Sequence, residues 1–361
     1  MGNEWQEKYR EMMEREYFSK EEKENMVRKL MQAGTGREEA AGSRHVTGKN
    51  FMAGRFRIKG AAAACLAGCL LLTGVAGASA AGFLKPVSDV FAKVFRLDAD
   101  DERLAGEIGK PLGESVVSNG IRVSADAVIA DSYAYAVVFS VEREDGRPLG
   151  DGQKLASDKW DFESADIEAA AQKEDSAIWG ESYSYDEVPE DSAIQYVMLA
   201  NSDGKIKAGG IISVHLSNLR HFDTESSKDY IVEGNWDMEL SFPEPSDELV
   251  VKKEAEIVEL DGSRFTIEDI GISPISYHLT FSIGEDSGLS VADGAKLLDR
   301  CTMELELKNG KRIGLGEGGS AVKVNGRRFQ FVYGDTFESL VHLEDIKAVR
   351  IGEMEIPVQK K

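Results

Sequence analysis

The sequence predicts a mainly β exported part, made of two tandem β-sandwich-like domains, joined to one transmembrane helix and a short α-helical cytoplasmic segment. Three observations carry this expectation. An uncharged run of 25 residues separates Lys59 from Lys85; apolar residues beyond it alternate with period two; and the alternating stretch occurs twice. The expected divisions are a helical hairpin over 1–33, a flexible basic linker over 34–59 and a transmembrane helix over 60–84. A first β-domain with a juxtamembrane helix over 85–246 and a second β-domain over 247–361 complete the chain.

The uncharged run matches the roughly 20 apolar residues that a helix needs to cross a hydrocarbon core. Leu70, Leu71, Leu72 and Val75 form its centre, while Gly and Ala supply much of the rest. Three other readings compete with a retained span. Ala78-Ser79-Ala80 has the small-x-small form of a signal-peptide cleavage site, but 59 residues precede the run where a short basic segment is expected. Leu66-Ala67-Gly68-Cys69 resembles a lipoprotein box, yet apolar residues continue well past Cys69. A buried soluble helix would rarely need so long an uncharged stretch.

The flanks orient the span. Arg44, Lys49, Arg55, Arg57 and Lys59 precede it without an acidic residue among them, and Asp98, Asp100, Asp101 and Glu102 follow it. The basic side stays in the cytoplasm. The expected location is therefore the cell membrane, single-pass, with the N-terminus cytoplasmic and the C-terminus extracytoplasmic.

Splitting the charge at the run leaves 13 basic and 10 acidic residues before it, and 30 basic and 54 acidic after it. Such acidity argues against a nucleic-acid partner and favours cationic ligands or plain solubility. Only Cys301 follows the run, so no disulfide is expected within 85–361.

In residues 1–33, Trp5, Tyr9, Met12, Met13 and Tyr17 recur at helical spacing. Ser19 and Glu22 have the form of a capping box before a second helix carrying Met26, Val27, Leu30 and Met31. Two short helices bury little between themselves. Their apolar faces are expected to meet the membrane surface or to clamp a cytoplasmic protein, with Trp5, Tyr9, Met12, Val27 and Leu30 as the contact.

Beyond the run, Pro86 opens an amphipathic segment with Val90, Phe91, Val94 and Phe95, expected to cap the first β-domain or to touch the membrane interface. The repeat follows. Residues 119–141, NGIRVSADAVIADSYAYAVVFSV, align without a gap to 261–283, DGSRFTIEDIGISPISYHLTFSI, with five identities. Tyr133, Tyr135, Val137, Phe139 and Val141 alternate in the first copy, and Ile275, Tyr277, Leu279, Phe281 and Ile283 in the second, predicting a strand with one buried face. Val214–Leu219 also matches Val341–Ile346, which places His215 and His342 at equivalent strand positions. The first copy is about 15 residues longer, and the acidic, turn-rich stretch 150–192 is the expected place for the excess. The domain boundary is expected near Pro243-Glu244-Pro245.

A basic-flanked span followed by NGIRVSADAVIADSYAYAVVFSV resembles the domain-of-unknown-function family 4179, single-span membrane proteins of Gram-positive bacteria that are anti-sigma-factor-like. The likeness covers roughly 45–240, and the second copy resembles the related C-terminal β-domain. The resemblance implies a sigma-type transcription factor as cytoplasmic partner and an envelope ligand outside. It carries no catalytic residues. The zinc-binding type of anti-sigma segment uses a His and paired Cys, whereas residues 1–59 hold only His45 and no Cys, so no metal is expected there.

Catalytic motifs are absent from the sequence: the five histidines are scattered, without HExxH or GxSxG. Asp98, Asp100 and Asp101 lack the Gly turn and distal Glu of a calcium loop and read as a solvated surface. Gly314, Gly316, Gly318 and Gly319 lack the Lys-Ser/Thr of a phosphate loop and read as a hairpin turn. No cofactor is expected. The favoured reading is a membrane-tethered regulator and not an enzyme; the alternative is a membrane-anchored envelope-binding or structural module, and an exported enzyme ranks third. If the regulator is released by proteolysis, Ala78, Ser79 and Ala80 mark the expected cutting region.

Overall fold

The computed structural model describes residues 85–149, 159–169, 176–186, 193–206, 209–222, 230–241, 249–250, 256–284, 287–315, 318–325 and 328–358. These residues belong to one compact unit and are mainly β, with antiparallel sheets and few helices. The expected cytoplasmic hairpin, linker, span and Pro243-Glu244-Pro245 boundary lie outside them. Among the described residues, no helix is long and apolar enough to cross a membrane.

Two helices open the described chain. Helix α1 (Val87–Phe91) buries Val90 and Phe91, and the turns after it bury Val94 and Phe95. Helix α2 (Ala99–Ile108) begins at Asp98, whose carboxylate accepts from the Asp100 and Asp101 amides, while Asp101 reaches back to the Asp98 amide. This reciprocal cap satisfies amides that the first helical turn leaves free. The aspartate cluster is thus a helix start and not simply a solvated surface: Asp101 is buried.

The first sheet pair follows. Strands β1 (Gly109–Pro111) and β2 (Ser115–Ser118) both pair with β3 (Ile121–Ala130), which pairs with β4 (Ala134–Arg143). The chain continues through β5 (Trp160–Ala169), β6 (Ile178–Tyr185), β7 (Ala193–Ser202), β8 (Ile211–His221) and β9 (Tyr230–Ser241). One sheet runs β1-β3-β4-β7-β6 with β2 also paired to β3, and a three-stranded sheet runs β5-β8-β9. Tyr135, Val137 and Phe139 of the first meet Phe162, Leu216 and Trp236 of the second in one core.

The second pair repeats this order. Strands β10 (Leu249–Val250) and β11 (Glu256–Leu260) pair with β12 (Ser263–Ile272), then comes β13 (Ser276–Gly284). Helix α3 (Val291–Asp299), capped by Ser290, leads to β14 (Met303–Leu307), β15 (Arg312–Leu315), β16 (Gly319–Asn325), β17 (Arg328–Thr336), β18 (Ile346–Ile351) and β19 (Met354–Pro357). The sheets run β10-β12-β13-β17-β16 and β15-β14-β18-β19, again around one core that contains Phe265, Phe281, Phe331 and Val349.

The aligned stretches are equivalent in detail. Asn119-Gly120 and Asp261-Gly262 turn with φ of 48° and 75° in both copies, the left-handed geometry that Asn, Asp and Gly tolerate best. Both copies slip register at the same place, around Asp126 and Glu268. Each bulge bends its strand within the sheet.

Three expectations need correction, and one acidic stretch holds strands that its composition does not show. Strands β4 and β13 are central and buried on both faces, not one, because α1 and the neighbouring sheet pair cover the outer side. The acidic stretch 150–192 contains β6 and also β5, whose Trp160, Phe162 and Ile167 are buried. Residues Val341–Leu343 precede β18 and form no strand, so His342 is not equivalent to His215 on β8. The glycine-rich stretch joins β15 in one sheet to β16 in another and is no hairpin turn.

Candidate functional site

The polar chemistry of the molecule concentrates where the two sheet pairs meet. The β3–β4 turn is tight: the Asp131 amide donates to the Ala134 carbonyl, and the Asp131 carboxylate accepts from the Tyr133 and Ala134 amides at 2.7 and 2.6 Å. In the aligned β12–β13 turn, Ser273 takes the place of Asp131. Its hydroxyl accepts from the Ile275 and Ser276 amides at 3.1 and 2.9 Å.

The two turns face each other. The hydroxyls of Ser273 and Ser276 both donate to the second oxygen of Asp131. The three residues are buried, so this carboxylate gives up hydration for four protein donors. Burial pushes its carboxyl up, while hydrogen bonds from Ser273, Ser276, Tyr133 and Ala134 oppose that shift.

Further contacts extend the seam. The ring of Tyr133 stacks on His278 of β13 with centroids 3.9 Å apart, and Lys205 lies over the same tyrosine. His278 is buried, and its Nδ1 stands 3.7 Å from Asp269. Neither of its ring nitrogens has a hydrogen-bond partner among the described residues. Lys323 of β16 pairs with buried Asp203 at 3.0 Å. Trp179 of β6 donates to the Gly334 carbonyl at 3.3 Å, and His342 bonds Asp101 at 2.9 Å. Gly319 admits the Trp179 ring: a Cβ there would stand 2.0 Å from it.

The seam also holds the start of the described chain. Val90, Phe91, Val94 and Phe95 pack with Ala136 and Val138 of β4, with Val197 and Leu199 of β7, and with Ile275 and Leu340 of the second pair. The segment that follows the uncharged run is therefore clamped between both halves.

The serine hydroxyls of the two turns both donate to the Asp131 carboxylate. Among the described residues, no three His, Cys, Asp or Glu side chains gather as metal ligands. On the outer face of the three-stranded sheet, Asp166, His215 and Asp237 stand in a cross-strand row, with His215 bonded to Asp237 at 2.9 Å.

The partner-contact residues expected from the sequence, Trp5, Tyr9, Met12, Val27 and Leu30, and the cutting region Ala78, Ser79 and Ala80, lie outside the described residues. Sequence reasoning missed Asp131, Ser273, Ser276 and His278 as a site. A signal was present, since Asp131 and Ser273 occupy the same position of the repeat, each polar between apolar strands.

No family model and no curated protein matches the chain. One solved structure, the crystal structure of the conserved domain protein from Bacillus anthracis, is similar at 16% identity over 67% of this chain and 76% of that chain, with a TM-score of 0.46.

Proposed function

We propose that the protein is a membrane-tethered regulator of the anti-sigma type, anchored by residues 60–84. In this reading residues 85–246 and 247–361 are tandem sandwich-like domains outside the membrane, and Trp5, Tyr9, Met12, Val27 and Leu30 hold a sigma-type factor inside. The observation that carries the reading is the place of Val90, Phe91, Val94 and Phe95 in the seam between the sheet pairs. These residues begin six positions after the uncharged run ends at Leu84, so a ligand that shifts one sheet pair against the other acts on the chain where it leaves the membrane. In this reading the function is regulatory and not enzymatic, which rests on a sequence without HExxH or GxSxG. Release of the partner follows cutting near Ala78-Ser79-Ala80.

The test is affinity purification of the full chain from membranes. The parent is expected to retain a sigma-type factor, and Trp5→Ala with Leu30→Ala to lose it, since large apolar anchors dominate such contacts. Equal capture by both would leave the second reading, a membrane-anchored envelope-binding module, which the Asp166–His215–Asp237 row, with His215 and Asp237 exposed, supports.

A further inference from the structure

The described chain has little slack at its start. Lys85 follows the uncharged run directly, and α1 begins at Val87, which lies so close over Gly109 that a Cβ there would stand 2.3 Å from it. Val90, Phe91, Val94 and Phe95 are then buried in the seam. From Leu84 to Val87 an extended chain spans about 10 Å. With residues 60–84 in the membrane, the folded body is therefore held at α1 within about 10 Å of the hydrocarbon, a distance comparable with the headgroup layer.

What the body presents beside α1 suits that layer. Strand β6 is the last of its sheet, and its Tyr183 and Tyr185 share the face that carries Trp179. The two tyrosine rings lie with centroids 6.3 Å apart. Lys93, two residues beyond α1, stands 5.1 Å from the centre of the Tyr185 ring and donates to the Asp186 carbonyl at 3.0 Å. A continuous row thus runs from the segment after α1 through Tyr185 to Tyr183. Lys93 is exposed, Tyr185 packs partly against the seam core, and Tyr183 is 36% exposed. Phenol rings with a polar tip and lysines with an apolar stem settle where one end is dry and the other wet. Asp89 and Glu181 are exposed on the same elements and offset Lys85 and Lys93, while Arg96 is engaged by Glu338 at 2.8 Å. Ring burial, more than net charge, therefore drives the contact.

We propose that Lys93, Tyr183 and Tyr185 form a docking face for the phospholipid headgroups of the outer leaflet, holding the edge of the first sheet pair on the membrane. The proposal rests on the membrane-tethered reading and extends it: the tether supplies nearness, and the face fixes orientation. Such a face needs little affinity of its own, because a surface about 10 Å away is present at high effective concentration. Trp179, on the same face of β6, reaches Gly319 and the Gly334 carbonyl of the second sheet pair. Strand β6 thereby joins the bilayer at one end to the seam at the other.

The test is photo-crosslinking of the full chain in lipid nanodiscs, made of phosphatidylcholine alone or with phosphatidylglycerol added. p-Benzoylphenylalanine in place of Tyr183 keeps an aromatic ring at an exposed position. The control carries it in place of Ile211, which is 54% exposed on the three-stranded sheet, the layer farther from α1. Mass spectrometry is expected to find lipid adducts at position 183 about tenfold above those at 211. Lys93→Glu is expected to lower the yield at 183 about fivefold in the anionic discs. Should the variant at 183 melt below the parent, the same probe in place of Lys93 supplies the reading. Lipid adducts no more frequent than at 211, or adducts to a second copy instead, overturn the docking face, and a yield that Lys93→Glu leaves unmoved overturns the part assigned to the lysine. Extraction with alkaline carbonate separates the two failures. A chain that stays in the membrane without lipid adducts overturns the face alone, whereas a chain stripped from the membrane overturns the tether and the face together.

Discussion

Asp131 shows why one side chain can join two halves of a chain. An ionised carboxylate offers about four acceptor sites, and here two are met by amides of its own turn and two by hydroxyls of the opposite turn. Replacing it strands both hydroxyls in a buried place. Asp131→Ala is expected to destabilise the chain by about 3 kcal/mol, against about 1 kcal/mol for Ser276→Ala, which leaves the carboxylate three donors. Equilibrium unfolding in urea measures both, and equal losses would mean that the turns do not depend on the carboxylate.

At the scale of elements, the two six-stranded sheets share an order and differ in what covers them. The first carries Ala134, Ala136 and Val138 on its outer face, and α1 with the following turns packs there. At the aligned positions the second carries Ser276, His278 and Thr280, all buried, with Tyr133 and the serine–aspartate contact against them. An apolar face calls for a helix, whereas a polar one calls for hydrogen bonds and rings. Phe91 is fully buried, so Phe91→Ala is expected to cost about 3–5 kcal/mol. Gly319 lets β16 pass beneath Trp179. Gly319→Ala is expected to cost about 2 kcal/mol in the parent and less in a Trp179→Ala background, since the atoms nearest the added Cβ belong to that ring. A double-mutant cycle by thermal melting reads the coupling, and additive losses would argue against the contact.

For the whole molecule, equivalent pairs of sheets built on the same turn and the same bulge read as one unit used twice. The second unit has its own core, yet Ile275 and Leu340 are buried against the first. A fragment spanning residues 247–361 is therefore expected to melt cooperatively but below the melting temperature of the full chain. Equal melting would mean that the seam contributes no stability. The proposed membrane topology has a separate check: a protease that cannot cross the bilayer is expected to degrade residues 85–361 in protoplasts and to spare 1–55, because the basic residues 44–59 resist translocation.

By itself, the sequence determined what is local. Period-two alternation placed β4 and β13, the repeat announced two equivalent units, and Asn119-Gly120 with Asp261-Gly262 marked their turns, because side-chain period and left-handed turns are properties of a few neighbouring residues. What lies between distant residues was decided only by tertiary structure. The acidity of 150–192 hid β5 and β6, since solvent-facing Glu163 and Asp166 mask the inward Trp160, Phe162 and Ile167. Gly319 read as turn chemistry until Trp179, 140 positions earlier in the chain, occupied the space above it. The aspartate cluster read as a wet surface until His342 met Asp101 across 241 positions. Asp131, Ser273 and Ser276 are ordinary turn residues in the sequence, and burial makes them a site: only when the two turns come together do a carboxylate and two hydroxyls lose water and need each other.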